Sequence, residues 1–233
     1  MNKEQFITET KKLGIDISVD TLKKLDRYYQ LLVEENKKYN LTAITEEPLV
    51  YLKHFYDSLT IVKIIDLSNQ YLLDIGTGAG FPGLVLKIVF PNLKIDLLDS
   101  TAKRCQFLQL VIDELELKDI NVINARAEEY ATSNREKYDI TTSRAVAPLK
   151  HLLEYSIPTL KINGLFISLK SNIDEETKNI KNYYQKLNLS NEEIIKFELP
   201  YESSLRTLYK IKKTKSTPLI YPRQYSQIKK KDI

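Results

Sequence analysis

The sequence predicts an α/β protein built on a doubly wound, mostly parallel seven-stranded sheet, with a helical extension at its N-terminus. From residue 71 onward, short apolar runs alternate with stretches of helical periodicity, the pattern of repeated β–α–β units. Leu72–Gly83 has the pattern of a buried strand followed by a glycine-rich turn into a helix. Two later apolar runs, 192–199 and 205–213, have the spacing of a terminal antiparallel hairpin.

The elements divide the chain into three parts, which we place at 1–68, 69–213 and 214–233. The first part is predicted to be helical, at 3–13, 18–38, 46–55 and 57–67. Five parallel strands are predicted in the second part, at 71–75, 94–98, 120–123, 137–142 and 164–170. Helices fill the intervals between them, at 82–90, 101–116, 127–131 and 148–160. The third part is a basic tail.

Composition limits the classes of function. A chain of 233 residues with 42% hydrophobic and 28% charged residues is typical of a globular protein with a full core. No signal peptide is predicted, and no apolar run is long enough to span a membrane. The expected location is therefore the cytoplasm. A single cysteine, Cys105, excludes disulfides within the chain, and two histidines leave little material for a metal centre.

Positive charge is concentrated at the C-terminus. Residues 207–233 carry eight basic side chains and one acidic side chain, whereas the rest of the chain is nearly balanced. The interleaved Tyr209, Tyr221 and Tyr225 suit phosphate contacts combined with base stacking. A solvated terminus explains the same charge equally well. Deletion of residues 224–233 is expected to leave the cofactor loop intact and the affinity for the cofactor unchanged.

The glycine-rich turn holds four of the six glycines of the chain within residues 76–83, which favours a ligand-binding loop. Gly78, Gly80 and Gly83 satisfy G-x-G-x-x-G, the fingerprint of dinucleotide-binding proteins. Asp74 precedes these glycines and completes D-x-G-x-G-x-G, which is similar to the first motif of class I S-adenosylmethionine methyltransferases. The sequence therefore leaves two cofactors, S-adenosylmethionine and NAD.

The position of Asp74 favours S-adenosylmethionine. A carboxylate beside the pyrophosphate of NAD is repulsive, by about 1 kcal/mol even in solvent. The same carboxylate is attractive if it faces the cationic aminoacyl end of S-adenosylmethionine. We therefore expect Asp74 to face that end of the cofactor, and a Rossmann-type NAD-binding protein remains the alternative.

Further polar residues follow the other predicted strands, and the carboxyl ends of parallel strands meet at one sheet edge. Asp99 is expected to hold the ribose hydroxyls, because it lies about 20 residues after the glycines at the end of the next strand. Glu128 is expected to accept from the adenine amino group while the amides of Ala127 and Glu128 contact the ring edge. An acidic residue in the first turn of a helix is also stabilising without any ligand.

Arg144 follows the fourth predicted strand. In this position an arginine can hold a phosphate, the carboxylate of the cofactor or a guanine, and it can equally form a surface ion pair. Its place at the same sheet edge as Asp99 favours a role in the site, and Arg144 is the only candidate for a catalytic residue.

Taken together, these segments resemble the RsmG (GidB) family of bacterial methyltransferases, which modify guanine N7 in 16S ribosomal RNA. The resemblance covers residues 39–223 and rests on a series of motifs in order. They are Tyr39-Asn40-Leu41-Thr42, His54 with Asp57-Ser58, Asp74–Gly83, Leu98-Asp99-Ser100 with Lys103-Arg104 and Phe107-Leu108, Arg126–Glu129, Ser143–Ala147, Lys170, and Tyr221-Pro222-Arg223.

The resemblance implies the class I methyltransferase fold and S-adenosylmethionine as cofactor. It implies cofactor contacts by Gly76, Phe81, Ala127, Glu128 and Arg144, with Gly78 and Gly80 shaping the loop. The implied partner is 16S ribosomal RNA or the small ribosomal subunit, and a monomer is expected. The alternatives are a methyltransferase for another RNA or for a small molecule. The chain departs from the family after Tyr-Pro-Arg, where many members continue with a Gly/Pro/Lys segment and this chain has QYSQIKKKDI.

Overall fold

A seven-stranded sheet forms the centre of the computed structural model, which describes residues 1–144, 147–178 and 180–233. Its strands are β1 (Tyr71–Ile75), β2 (Lys94–Asp99), β3 (Ile120–Asn124), β4 (Tyr138–Arg144), β5 (Leu160–Lys170), β6 (Glu193–Glu198) and β7 (Leu205–Lys212). They lie in the order β3-β2-β1-β4-β5-β7-β6. The first five pair in parallel, and β7 is antiparallel to both β5 and β6. The predicted fold class is confirmed.

The N-terminal region is helical, as predicted. Helix α1 (Lys3–Lys12) is separated at Gly14 from α2 (Val19–Tyr39), and Ser18 caps α2 by accepting from the Thr21 amide at 3.1 Å. Residues 47–63 follow as one continuous helical run. Its parts are α3 (Glu47–Val50), a π-helical turn (Tyr51–Tyr56), α4 (Asp57–Leu59) and a 3₁₀ turn (Thr60–Lys63).

The break predicted near residue 56 was wrong. Neither glycine nor proline occurs between residues 49 and 63. The hydroxyls of Ser58 and Thr60 donate to the carbonyl oxygens of His54 and Asp57, both at 2.6 Å. These bonds keep the polar side chains within the helical run, so the chain does not need a turn to satisfy them.

Helices connect the parallel strands and cover both faces of the sheet. They are α5 (Gly83–Val89), α6 (Ala102–Glu114), α7 (Ala127–Ser133) and α8 (Leu149–Ser156), and α8 continues into a 3₁₀ turn (Ile157–Thr159). The polar stretch between β5 and β6 contains two short helices, α9 (Asp174–Thr177) and α10 (Lys181–Lys186). Ala145 and Val146, two residues of the motif that follows β4, lie outside the described residues.

The N-terminal helices and the sheet share one apolar core. Phe6, Tyr28 and Phe55 are fully buried in the same cluster as Leu72 and Ile95 of the sheet. Tyr28 stacks on Phe55, with ring centroids 5.5 Å apart. The N-terminal helices are therefore packed against the sheet at a fixed position beside the glycine-rich turn.

The C-terminal tail is folded onto the protein. It ends in α11 (Tyr225–Lys230), and both Tyr221 and Ile228 are buried. Within the described part of the chain, no helix combines the length and the apolar character needed to cross a membrane.

The topology places a crevice beside β1. Strands β2 and β3 lie on one side of β1 and β4 and β5 on the other, so the strand order reverses between β1 and β4. The loops after these two strands diverge, and ligands of doubly wound sheets bind in the crevice at that point. The glycine-rich turn follows β1 and Arg144 ends β4, so both lie at the crevice.

Candidate active site

A cavity of about 680 Å³ opens at the carboxyl ends of β1, β2, β3 and β4. Seven of the eight residues predicted to bind the cofactor line it, namely Gly76, Gly78, Phe81, Asp99, Ala127, Glu128 and Arg144. The eighth, Gly80, does not belong to the lining. A Cβ atom there would lie 2.4 Å from Leu84 Cδ1 and 2.7 Å from the Tyr28 hydroxyl oxygen, so Gly80 is a packing residue.

The glycine-rich turn forms one wall of the cavity. Gly78 has φ +62°, which L side chains rarely adopt, and its amide donates to Asp99 Oδ2 at 3.0 Å. The Gly76 amide donates to the Leu98 carbonyl at 2.8 Å, and the Tyr28 hydroxyl donates to the Ala79 carbonyl. These bonds fix the turn to β2 and to α2.

Asp74 lies behind the turn. It is fully buried, and its Oδ2 accepts from the amide of Gly83, the first residue of α5, at 2.8 Å. The Asp74 side chain does not belong to the cavity lining, and its contact with the cofactor stays a prediction. The carboxylate holds the N-terminus of α5 against the turn, where negative charge is favourable. Burial raises the pKa of this carboxyl to about 6.

Replacing Asp74 with asparagine is expected to change how stability depends on pH. The folded state binds the proton of Asp74 more tightly than the unfolded state, whose pKa is near 3.8. The stabilisation is therefore complete below about pH 4 and is lost as the pH rises through about 6, by about 3 kcal/mol in total. An asparagine side chain does not titrate in this range, so the stability of Asp74→Asn relative to wild type should rise by most of that amount between pH 4 and 7.

Urea unfolding of both proteins at several pH values measures this difference. A buried amide hydrogen left without a partner in Asp74→Asn lowers stability equally at every pH, so it cancels in the comparison. Parallel stability curves for the two proteins would contradict the shifted pKa.

Asp99 ends β2 and presents a buried carboxylate to the cavity. Its Oδ1 accepts from the Thr101 amide at 2.8 Å, its Oδ2 accepts from the Gly78 amide, and Arg104 Nη1 lies 3.4 Å from Oδ2. These donors fix the side chain, and a carboxylate offers about four lone-pair directions. Asp99 can therefore accept further bonds from a hydroxyl-bearing ligand.

The segment after β3 contributes four consecutive residues to the cavity, Ala125, Arg126, Ala127 and Glu128. Arg126 is the N-cap residue of α7, and its Nε donates to Glu128 Oε1 at 2.6 Å. Glu128 is largely buried although it lies in the first helical turn. The Arg126 guanidinium lies 4.8 Å from the ring centroid of Tyr225.

Arg144 is the last residue of β4, and its side chain is 14% exposed. Its Nη1 donates to the Lys53 carbonyl at 2.9 Å and lies 3.4 Å from Asp57 Oδ2. The guanidinium also lies 4.9 Å from the ring centroid of Phe81. Arg144 therefore forms an internal ion pair with the N-terminal helices, not a surface pair, and it lines the cavity as well.

His54 was not predicted as a site residue, although it lies in the cavity wall. It sits in the π-helical turn and stacks on Phe81 with ring centroids 4.3 Å apart. Its Nδ1 lies 3.2 Å from Arg144 Nη2 and its Nε2 lies 2.9 Å from Thr42 Oγ1. Burial, with the nearby Arg144, lowers the pKa of His54 to about 3, so the imidazole is neutral at physiological pH.

The far wall of the cavity was also missed. It is formed by His151 and Tyr155 of α8 and by Tyr225 and Lys229 of α11. The family motif containing His54 gave a sequence signal for one side of the cavity. The sequence carried no signal for the far wall, because α11 reaches the cavity only through the folded path of the tail. The position of Tyr225 and Lys229 argues against the expectation that deletion of the tail leaves the cofactor site unchanged.

The structure corrects the expectation for the aromatic and basic tail. Tyr209 and Tyr221 are buried and cannot stack on bases. Lys213 is fully buried, and its Nζ donates to the Leu160 carbonyl at 2.7 Å, while Lys210 donates to the Ile64 carbonyl at 3.0 Å. The exposed cations among residues 207–233 are Lys212, Lys215, Lys229, Lys230 and Lys231.

Solved structures with the same architecture include several methyltransferases. A precorrin-6y C5,15-methyltransferase from Geobacter metallireducens superposes with a TM-score of 0.53 at 12% identity, over 74% of this chain and 90% of that chain. A tRNA (m1A58) methyltransferase from Aquifex aeolicus superposes with a TM-score of 0.53 at 16% identity, over 69% of each chain. At such identities the similarity establishes the fold.

Sequence comparison establishes the family. A ribosomal RNA small subunit methyltransferase G of Mesoplasma florum is 49% identical over 94% of this chain and 92% of its own length. The protein of the same description from Acetivibrio thermocellus is 47% identical over 91% of this chain and 88% of its own length. The family model GidB, described as rRNA small subunit methyltransferase G, matches residues 21–204. The chain therefore belongs to the GidB family of rRNA small subunit methyltransferases.

Proposed function

We propose that this protein transfers a methyl group from S-adenosylmethionine to N7 of a guanine in 16S ribosomal RNA. One observation carries the proposal: seven residues predicted to bind the cofactor come from four strand ends and line one cavity. Family membership supports the ribosomal RNA of the small subunit as substrate. The sequence resemblance supports guanine N7 as the acceptor atom.

The cavity fits S-adenosylmethionine. In our proposal the free lone pairs of Asp99 accept from the ribose hydroxyls, while Ala127 and Glu128 contact the adenine edge. Arg144 lies on the other side of the glycine-rich turn, beside Phe81, where it can bind the cofactor carboxylate or the guanine. Gly78 leaves the space beside the turn open, because a Cβ atom there would find only the Gly76 carbonyl oxygen, at 4.0 Å.

The chemistry requires positioning more than proton transfer. The bound cofactor supplies an activated methyl group, and guanine N7 offers a lone pair in the plane of the ring, so no base has to remove a proton first. The residues of the cavity orient the two reactants and exclude water, and correct orientation alone contributes several kcal/mol. The neutral His54 is consistent with this scheme, since its pKa of about 3 leaves it uncharged.

The decisive test is mass spectrometry of 16S ribosomal RNA from a strain that lacks this protein. One N7-methylguanine should disappear, return with the wild-type gene, and fail to return with Gly78→Val. Unchanged 16S RNA would overturn the proposal, and a lost methyl group in another RNA would identify a different substrate.

Calorimetry separates the two cofactors that the sequence left open. The protein should bind S-adenosylmethionine and its demethylated product, S-adenosylhomocysteine, but not NAD. Tight binding of NAD would restore the dinucleotide-binding alternative.

We further propose a role for each of the three parts of the chain. Residues 69–213 form most of the cofactor site and residues 1–68 cover one side of its cavity, while exposed lysines of the tail 214–233 contact RNA phosphates. The protein acts as a monomer in the cytoplasm on 16S RNA or the small subunit. Sedimentation of the purified protein and methylation assays with naked RNA and intact subunits test the oligomeric state and the form of the substrate.

A further inference from the structure

The tail departs from the family pattern after Arg223, and its last helix lies against the cavity. We infer that α11 is a structural part of the cofactor site, in which Tyr225 holds Arg126 and, through Arg126, the carboxylate of Glu128. This inference rests on the proposed function, because it assigns a positioning residue to the adenine side of the same cavity.

The tail is anchored at several points before it reaches the cavity. Arg135 Nη1 donates to the Tyr221 carbonyl at 2.6 Å. Arg223 Nε donates at 2.9 Å to Glu154 Oε2, on a carboxylate that is fully buried. Charge-assisted bonds to a buried acceptor are strong, so these contacts fix the start of α11.

The helix itself is held by its apolar face. Ile228 is fully buried in a cluster with Ile75, Leu98 and Tyr155, and these three residues also line the cavity. Lys150 also bonds Asp232 beyond the helix, at 2.6 Å. Tyr225 and Lys229, four residues apart and therefore on one helix face, both line the cavity.

The chain of contacts runs from the tail to the predicted adenine contact. The Tyr225 ring lies 4.8 Å from the Arg126 guanidinium, and Arg126 Nε lies 2.6 Å from Glu128 Oε1. The Arg126 side chain is 49% exposed, so without the ring it has solvent-facing alternatives. Stacking on an aromatic face favours one orientation of a guanidinium, and this orientation keeps the bond to Glu128.

Titration calorimetry with S-adenosylhomocysteine tests the inference. Tyr225→Ala should raise the Kd about three- to fivefold, whereas Tyr225→Phe should bind like wild type because it keeps the ring. Tyr201→Ala, which removes an exposed tyrosine outside the cavity, is the matched control and should bind normally. In turnover, Tyr225→Ala should raise the KM for the cofactor with little change in kcat, as expected for lost ground-state binding.

A double-mutant cycle separates positioning from direct contact. If Tyr225 acts through Arg126, then Tyr225→Ala should cause no further loss in an Arg126→Ala background. Fully additive losses, or a Tyr225→Ala variant that binds like wild type, would overturn the inference.

Binding by the wild-type protein and an NMR experiment distinguish failure of this inference from failure of the proposed function. Absence of S-adenosylhomocysteine binding by the wild-type protein would refute the proposed function. The stack can still be tested in that case by NMR, because the Arg126 Nε–H resonance should carry a ring-current shift that disappears in Tyr225→Ala and persists in Tyr225→Phe. No such shift in the wild-type protein would overturn the inference on its own.

Discussion

Replacing Gly78 with valine is expected to abolish binding of S-adenosylmethionine while the protein stays folded. Gly78 has φ +62°, a conformation that costs an L residue about 1–2 kcal/mol and is least favourable for a β-branched one. Apart from its chain neighbours, a Cβ atom there meets no protein atom closer than 4.0 Å, so it projects into the open space that the cofactor needs. We expect the Kd for S-adenosylhomocysteine to rise by at least about 100-fold, equivalent to about 3 kcal/mol.

Gly14→Val is the matched control for this variant. Gly14 also has positive φ, +77°, and a Cβ atom there would meet nothing within 4 Å, but it lies between α1 and α2, outside the cavity. It therefore reports the backbone strain alone. Both variants should lose similar stability and keep their circular dichroism spectra, and only Gly78→Val should lose binding. Equal binding by the two variants would show that the turn does not contact the cofactor.

The sheet and the near side of the cavity could be predicted from the sequence because their signals are local. A buried strand such as Leu72–Ile75 is an apolar run, and the following turn is marked by its glycines. The rule that parallel strands present their carboxyl ends at one edge then places Asp99, Ala127 and Arg144 together. The structure confirms the sheet and brings these residues into one cavity.

The remaining features depend on contacts between distant parts of the chain. Asp57 pairs with both Arg144 and Arg206, which lie 87 and 149 residues away in sequence. Sequence spacing carries no signal for such pairs, so the second function of Arg144, as an anchor for the N-terminal helices, was missed. The same holds for Asp74, whose pattern suggested a ligand contact, while the fold directs its carboxylate to the Gly83 amide.

Arg144→Ala is expected to reduce both methylation and stability. The structure shows an arginine bonded to Lys53, Asp57 and His54, so the substitution removes a structural anchor as well as a residue of the cavity wall. Breaking a buried ion pair lowers stability by about 3–5 kcal/mol, because it leaves a buried charge without a partner. Asp57 keeps Arg206 as a partner, 3.0 Å from its Oδ1, so we expect a loss near the lower end of that range. We expect methylation per folded molecule to fall by about 100-fold or more, since Arg144 also lines the cavity beside Phe81.

Arg206→Ala separates these two effects. It removes the other partner of Asp57, and Arg206 does not belong to the cavity lining. Urea unfolding should therefore show comparable destabilisation for Arg144→Ala and Arg206→Ala. Methylation rates, corrected for the folded fraction at the assay temperature, should fall only for Arg144→Ala. If the corrected rates fall equally, Arg144 acts solely as the anchor that holds His54 and the N-terminal helices against the sheet, and the residue that orients the guanine or the cofactor carboxylate must be sought elsewhere along the cavity wall.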